Sequence, residues 1–323
     1  MGCYVGAVMQ LAGAEVHFLL RPGMAKTLAD NGLRVSDWRG LDQQLSAGSL
    51  HLHTDVAAMA GLDCLFVTVK SLDTVTVAEQ LQAVLTGDEW LISLQNGVGN
   101  AARLREILPG QPVLAGMIAF NVLNCGNGHF HAGTDGAIMV EQCAAMAALA
   151  PLFAVTHTPF EWQADMAAVQ WSKLLLNLNN PVNALSGLPL KDELSQRAYR
   201  RCLALLQTEA LQAIRAAGLP LVKLTAVSPS MLPWVLRSPD WLFRIVAQPM
   251  LRIDPLARSS MWEDLERGRR TEVDWLNGEV AALAERQGLR AVANERLREL
   301  VKAAERGGRR DFSGDELLAL LRA

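Results

Sequence analysis

The chain has 323 residues, half of them hydrophobic and a fifth charged, which is enough for two domains with sizeable cores. A formal net charge of −3 leaves no basic footprint for nucleic acid and too small an acidic excess to indicate a partner. Five cysteines without a CxxC pair suit free thiols in a reducing compartment, so a cytoplasmic protein is expected, with no membrane span and no leader peptide.

Residues 2–14 are small and apolar and predict a helix; residues 15–20 read as a short strand closed by the turn signal Arg21-Pro22-Gly23. Residues 25–31 are helical in pattern, and strand-like pieces at 33–36 and 49–53 suggest a hairpin. Residues 63–69, 90–94 and 112–120 are continuous apolar runs of the kind found in buried parallel strands, the first followed by a helix through Ala83. Strands alternating with helices predict an α/β fold whose parallel sheet is covered on both faces. From about residue 160 the strand runs disappear, and helical patterns occupy 165–180, 196–217, 261–287, 294–306 and 314–322. The expected organisation is a Rossmann-type doubly wound parallel sheet over residues 1–159 and an all-helical domain over residues 160–323.

A dinucleotide-binding unit runs from a strand through Gly-x-Gly-x-x-Gly into a helix, and the glycines let the backbone approach a pyrophosphate at the helix N-terminus. Here the small-residue helix starts at Gly2, and Arg21 ends the following strand at close to the ~20-residue spacing of the ribose-reading residue. Gly2 is therefore read as the third glycine of such a fingerprint. Its strand and two leading glycines are expected upstream of Met1, and without them the sheet would lack a central strand and cofactor binding would be weak. Arginine in place of an acid at position 21 favours a 2′-phosphate and hence NADP(H). Lys70 and Asn96 stand at carboxyl ends of strands, where open α/β sheets bind ligands, although such positions are also ordinary loop positions.

Two polar stripes carry the rest. Lys173, Asn177 and Asn180 are spaced i, i+4, i+7, within ~60° of one another on a helix otherwise built from Leu174, Leu175, Leu176 and Leu178. A lysine and two amides are costly to bury there without partners. Either they form a satisfied helix–helix network, or they line an active site in which a desolvated lysine donates a proton near neutrality. Farther along, Ser260, Asp264 and Thr271 fall near one helical line, with Glu272 about a third of a turn away and Trp262 and Trp275 beside them. A solvated charged face would also explain this block, and Glu272 is the candidate partner for Lys173.

Val-Thr-Val-Lys70, Gln-Asn96-Gly, Lys173-x-x-x-Asn177 and Ser259-Ser260-Met-x-x-Asp264-(x)6-Thr271-Glu272-Val-Asp274-x-x-Asn277-Gly278 together resemble the ketopantoate reductase (2-dehydropantoate 2-reductase) family over essentially the whole chain. The resemblance implies reduction of 2-dehydropantoate to (R)-pantoate with NADPH, on the route to pantothenate and coenzyme A. It makes Lys173 the proton donor and Glu272 the essential glutamate, and it places Ser260 at the substrate carboxylate end. Asn96 falls near nicotinamide and substrate, Asn177 at the substrate, and Arg21 and Lys70 with the cofactor beside Gly2. Asn180-Pro181 stands one residue closer to Lys173 than the family's pair, which leaves Asn180 and Asn183 both open as the second substrate amide; Asn180 is the assignment taken, and Asp264 joins the same face. Two other readings keep parts of this picture: a reductase of another branched 2-oxo acid, and a catalytically silent NADP-binding protein. A homodimer through the helical domain is compatible with its apolar content. His51-x-His53 and His129-x-His131 each put two imidazoles on one strand face but lack a third ligand nearby, so no metal site is expected.

Overall fold

The computed structural model describes residues 1–246 and 257–323. Its contacts divide the chain into two compact units, Met1–Met166 and Ala167–Ala323.

The first unit opens with α1 (Gly2–Leu11), which Gly13 stops by adopting φ +93°. The N–H of Ala14 then reaches the Met9 carbonyl and that of Gly13 the Gln10 carbonyl, a Schellman closure that only a residue tolerant of the left-handed region allows. β1 (His17–Leu19) follows, then α2 (Pro22–Asn31), which starts with Pro22 in the first turn, where a missing N–H costs nothing. Next come β2 (Leu33–Asp37), β3 (Asp42–Leu45), β4 (His51–His53), β5 (Cys64–Val67), α3 (Thr74–Gln82), β6 (Trp90–Ser93), α4 (Asn100–Ile107) and β7 (Val113–Ile118). The unit ends with β8 (Val122–Gly126), β9 (His129–Ala132), β10 (Ile138–Glu141), α5 (Leu149–Ala154) and β11 (Phe160–Gln163).

The main sheet has the order β11-β10-β7-β6-β5. Strands β5, β6 and β7 are parallel, with Leu65 opposite Leu91 and Leu91 opposite Val113, while β10 runs antiparallel to β7. Every residue of β7 is buried, as the continuous apolar run demands. A second sheet, β3-β2-β9-β8, is mixed. The expected hairpin between 33–36 and 49–53 does not form. β2 instead turns back on β3, which Gln43 and Gln44 had hidden from an apolar pattern, and β4 pairs in parallel with β1.

Strands β1 and β4 stand as a pair of their own. Among the described residues no strand pairs with the second edge of β1 or with the edge of β5 away from β6, and a cavity of about 1420 Å³ lies between them. Its walls include β1, β5, the Val5, Gly6 and Met9 face of α1, Val77 and Leu81 of α3 and Leu149 and Leu152 of α5, so much of its lining is apolar.

The boundary expected between residues 159 and 160 falls later. Phe160–Gln163 pairs in parallel with Ile138–Glu141, which ties it to the first unit, and the division comes after Met166. Beyond it the described residues are helical: α6 (Met166–Asn177), α7 (Asn179–Ser186), α8 (Leu190–Ser195), α9 (Arg197–Ala216), α10 (Leu232–Arg237), α11 (Asp240–Val246), α12 (Ser260–Glu266), α13 (Val273–Arg286), α14 (Val292–Glu305) and α15 (Gly314–Arg322). α9 is the spine, burying Leu203, Leu206, Ala210 and Ile214 against α10, α13 and α15. Ser313 and Glu316 close a capping box at the start of α15. None of the described helices is long and apolar enough to cross a membrane.

Candidate active site

In the first unit, Lys70 and Asn96 sit just past the carboxyl ends of β5 and β6, held by a buried amide and hydroxyl network. Gln95 donates to the Val69 carbonyl at 3.1 Å and to Thr74 Oγ1 at 2.7 Å, and accepts from Ser93 Oγ at 3.0 Å. Asn100 donates to Ser71 Oγ at 3.0 Å and to the Asn96 carbonyl at 2.8 Å, and Ser71 Oγ reaches the same carbonyl at 2.9 Å. The two loops are thus stitched together by residues that sequence reasoning passed over. The signal was the run of amides and hydroxyls flanking Lys70 and Asn96, which reads as loop composition until the partners are seen.

Gly2 is the first residue of α1, whose N-terminus carries no side-chain cap, and a Cβ there would collide with Thr68 Oγ1. Arg21 is the N-cap of α2, and its guanidinium reaches Asp73 Oδ2 at 2.8 Å. Gly2, Arg21, Thr68, Val69 and Asp73 share the rim of the large cavity, so the structure brings Gly2 and Arg21 to one place with the loop that carries Lys70.

The histidine pairs are drawn into local contacts. His17 Nδ1 lies 3.0 Å from His53 Nε2, and the Ser36 hydroxyl bridges His129 Nε2 and His131 Nδ1 at 2.8 Å each. Burial and neighbouring imidazoles lower the His53 pKa. Among the described residues no three His, Cys, Asp or Glu side chains are arranged to hold a metal ion.

In the second unit, Lys173 lies in α6. Desolvation lowers its pKa to about 8, and the Glu272 charge opposes that shift. The expected continuous helix through Asn180 is interrupted. α6 ends at Asn177, Leu178 forms a turn, and Asn179 starts α7, so Asn177 and Asn180 belong to successive helices. Asn183 is fully buried. It donates to the Leu188 carbonyl at 2.9 Å and to Glu193 Oε2 at 3.2 Å, and accepts from Ser259 N–H at 2.9 Å. Those bonds make it a structural residue, whereas Asn180 is half-buried and accepts through its carbonyl from Ser259 Oγ at 3.1 Å.

The block at 258–278 is two helices instead of the single one expected over 261–287. The chain turns at Gly268, φ +60°, and resumes at Val273, so Ser260 and Asp264 lie on α12 while Glu272 is the N-cap of α13. The common line predicted for Ser260, Asp264 and Thr271 therefore does not exist. Ser259 caps α12, accepting from Trp262 N–H at 3.1 Å, and Ser260 beside it is exposed. Asp264 is buried one turn on. Thr271 is structural: its N–H and hydroxyl both donate to Glu305 Oε1, at 2.8 and 2.7 Å. So is Asn277, which donates to Asn294 Oδ1 at 3.0 Å. α12 packs on α7, which brings the Ser260 helix to the asparagine helix, and the electrostatic link to Lys173 brings in Glu272.

Comparison with known proteins decides the family. The model of Ketopantoate reductase PanE/ApbA matches residues 1–144, and that of the Ketopantoate reductase PanE/ApbA C terminal matches residues 165–305. The chain belongs to the ketopantoate reductase family. A 2-dehydropantoate 2-reductase of Halobacterium salinarum is 29% identical over 317 residues, covering 95% of this chain and 97% of the relative. That of Archaeoglobus fulgidus is 28% identical over 319 residues, covering 95% of each chain. Among solved structures, a PanE/ApbA family ketopantoate reductase from Ralstonia eutropha JMP134 superposes with a TM-score of 0.81 at 29% identity, again over 95% of each chain. The protein is thus an oxidoreductase with a Rossmann-like first unit and a helical second unit, and ketopantoate reductases match it across both.

Proposed function

We propose that this member of the ketopantoate reductase family reduces 2-dehydropantoate to (R)-pantoate with NADPH in the cytoplasm. The observation that carries the reading is Lys173: an amine on an otherwise leucine-rich helix, its pKa brought to about 8 by desolvation, with the Glu272 carboxylate favouring its charged form. A lysine tuned to that range is suited to give up a proton near neutrality.

The residues of the first unit fit a dinucleotide. Gly2 leaves no room for a side chain at an uncapped helix N-terminus, which is the setting that admits a pyrophosphate. Gly2, Arg21, Lys70 and Asn96 are assigned to NADPH, with the Arg21 guanidinium, now paired with Asp73, offered to the 2′-phosphate. NADPH, when bound, supplies the hydride that reduces the keto carbon. Lys173 donates a hydrogen bond to the keto oxygen, stabilises the alkoxide as it develops and passes its proton to that oxygen, to be replenished from solvent. Glu272 keeps the lysine protonated beforehand. Ser260 donates to the substrate carboxylate, Asn96, Asn177 and Asn180 bind its polar atoms, and Asp264 belongs to the same face. The internal bonds of Asn183 support choosing Asn180 as the second amide.

Turnover with NADPH on ketopantoate against ketoisovalerate tests the assignment. Preference for ketopantoate is expected. A strong preference for ketoisovalerate would make the protein a reductase of another branched 2-oxo acid, and NADPH binding without turnover on either would leave a silent binding protein.

A further inference from the structure

Helix α8 carries Glu193 into the interior of the second unit, where the residue has no solvent exposure. Its Oε2 accepts from Asn179 Nδ2 at 3.1 Å and from Asn183 Nδ2 at 3.2 Å, while Oε1 is buried without a partner. The side-chain oxygen of Asn179 is also buried without a donor. Two orphan acceptor oxygens in one small network are what a missing proton leaves, because a carboxylic acid carries the one donor a carboxylate lacks. Among the described residues, the groups around it offer no counter-charge. From α9, Tyr199 and Cys202 face it, and their pKa values are raised by burial and then by the Glu193 charge. Arg200 on the same helix is bound instead to the carbonyls of Leu194 and Ser195 and to Asp240. Lys191 and Asp192, on α8 itself, are exposed. Burial pushes the Glu193 carboxyl up to about 8, and the two amide donors draw it back only in part.

We propose that Glu193, as a neutral carboxylic acid, is a positioning residue for the substrate face and acts through Asn183. Asn183 accepts from the Ser259 N–H, and Ser259 in turn donates to the Asn180 carbonyl and caps α12. This chain of bonds fixes both Asn180 and the start of the helix that bears Ser260. Glu193 touches no reacting atom; it determines where two residues assigned to the substrate stand, and so rests on the 2-oxo-acid reading above. Loss of its proton places a charge in a dry interior, and the asparagine amides must shift to answer it. KM for the oxo acid therefore rises with pH above about 8, distinct from the loss of kcat that follows deprotonation of Lys173.

The test is the pH dependence of KM and kcat in Glu193→Gln and Glu193→Leu. Glu193→Gln stays neutral at every pH, so its KM is expected within about threefold of the parent at neutrality and without the alkaline rise. Glu193→Leu strands both amides and is expected to raise KM about tenfold or more with kcat little changed. The proposal is overturned if Glu193→Gln keeps the alkaline rise, or if its neutral KM is as poor as that of a folded Glu193→Leu. It is equally overturned if the variants move kcat and leave KM alone. Should Glu193→Leu not fold, Glu193→Gln decides alone. Infrared difference spectra across the same pH range give an arm independent of turnover: a protonated-carboxyl stretch lost at high pH in the parent and missing from Glu193→Gln is expected. No such band overturns the proposal even in an active reductase. The band in a protein that reduces no 2-oxo acid upholds the buried acid and sinks the reductase reading.

Discussion

Glu272 and Lys173 stand on different helices, at the cap of α13 and within α6, yet the carboxylate favours the very proton that burial drives off the lysine. The balance falls at about 8, so the amine is a far better acid than a solvated lysine and still mostly charged at neutrality.

Replacement of Lys173 by Ala is expected to lower turnover by ~10²–10⁴ while leaving NADPH affinity intact, because general acid catalysis is worth about that much. In the parent, the protonated donor is present below about pH 8 and lost above it, so kcat/KM should be level toward neutrality and fall on the alkaline side. Steady-state kinetics and a pH profile check both. Near-normal turnover in the variant would take the lysine out of the chemistry.

Glu272→Gln removes the charge that opposes desolvation, so the lysine should lose its proton at a lower pH than in the parent. The alkaline limb of kcat/KM is expected to move toward neutrality, and turnover at pH 7 to fall. A midpoint that stays put or moves upward would dissolve the pairing.

Arg21→Ser should weaken NADPH by roughly ten- to a hundredfold, the worth of a hydrogen bond to a charged group, and leave NADH nearly untouched. Asp73→Asn should act in the opposite sense, since the Asp73 carboxylate now holds the guanidinium. Fluorescence titration with both nucleotides measures the difference, and equal losses for NADPH and NADH would refute the 2′-phosphate assignment.

Arg200 has no solvent exposure and serves the carbonyls of Leu194, Ser195, Leu236 and Ser238 as well as Asp240, with its guanidinium 4.2 Å over the Phe243 ring. Arg200→Met leaves those carbonyls without donors and should cost about 2–4 kcal/mol of stability. Chemical denaturation reads it directly. A loss within error of zero would mean that water replaces the guanidinium.

The facing edges of β1 and β5 predict that an apolar strand placed between them stabilises the first unit. A chain extended at Met1 by such a strand ending in Gly-x-Gly should melt several degrees higher, since ~1 kcal/mol moves Tm by about 2–4 °C at this size, and should bind NADPH more tightly. A polar strand of equal length is the control, and an equal gain from it would remove the slot from the explanation.

The sequence by itself carried the change from strand–helix alternation to helices near residue 160, because continuous apolar runs and 3.6-residue periodicity are local properties of the chain. It also carried the pairing of Lys173 with Glu272 as a candidate, since a lysine on a leucine helix has to be explained. Tertiary structure decided what periodicity could not. β3 was invisible because its glutamines face solvent on a sheet edge, and it takes a strand only through pairing with β2. The helix through 261–287 broke at Gly268, and Thr271 and Asn277 proved to be fastened to Glu305 and Asn294. Asn183 and Asn180 look alike in sequence, and only the bonds to Leu188, Glu193 and Ser259 mark Asn183 as the amide used up within the fold. Whether a polar group is used up internally depends on partners that can lie five residues away, as Leu188 does from Asn183, or 76 away, as Ser259 does, and that is information a one-dimensional pattern does not hold.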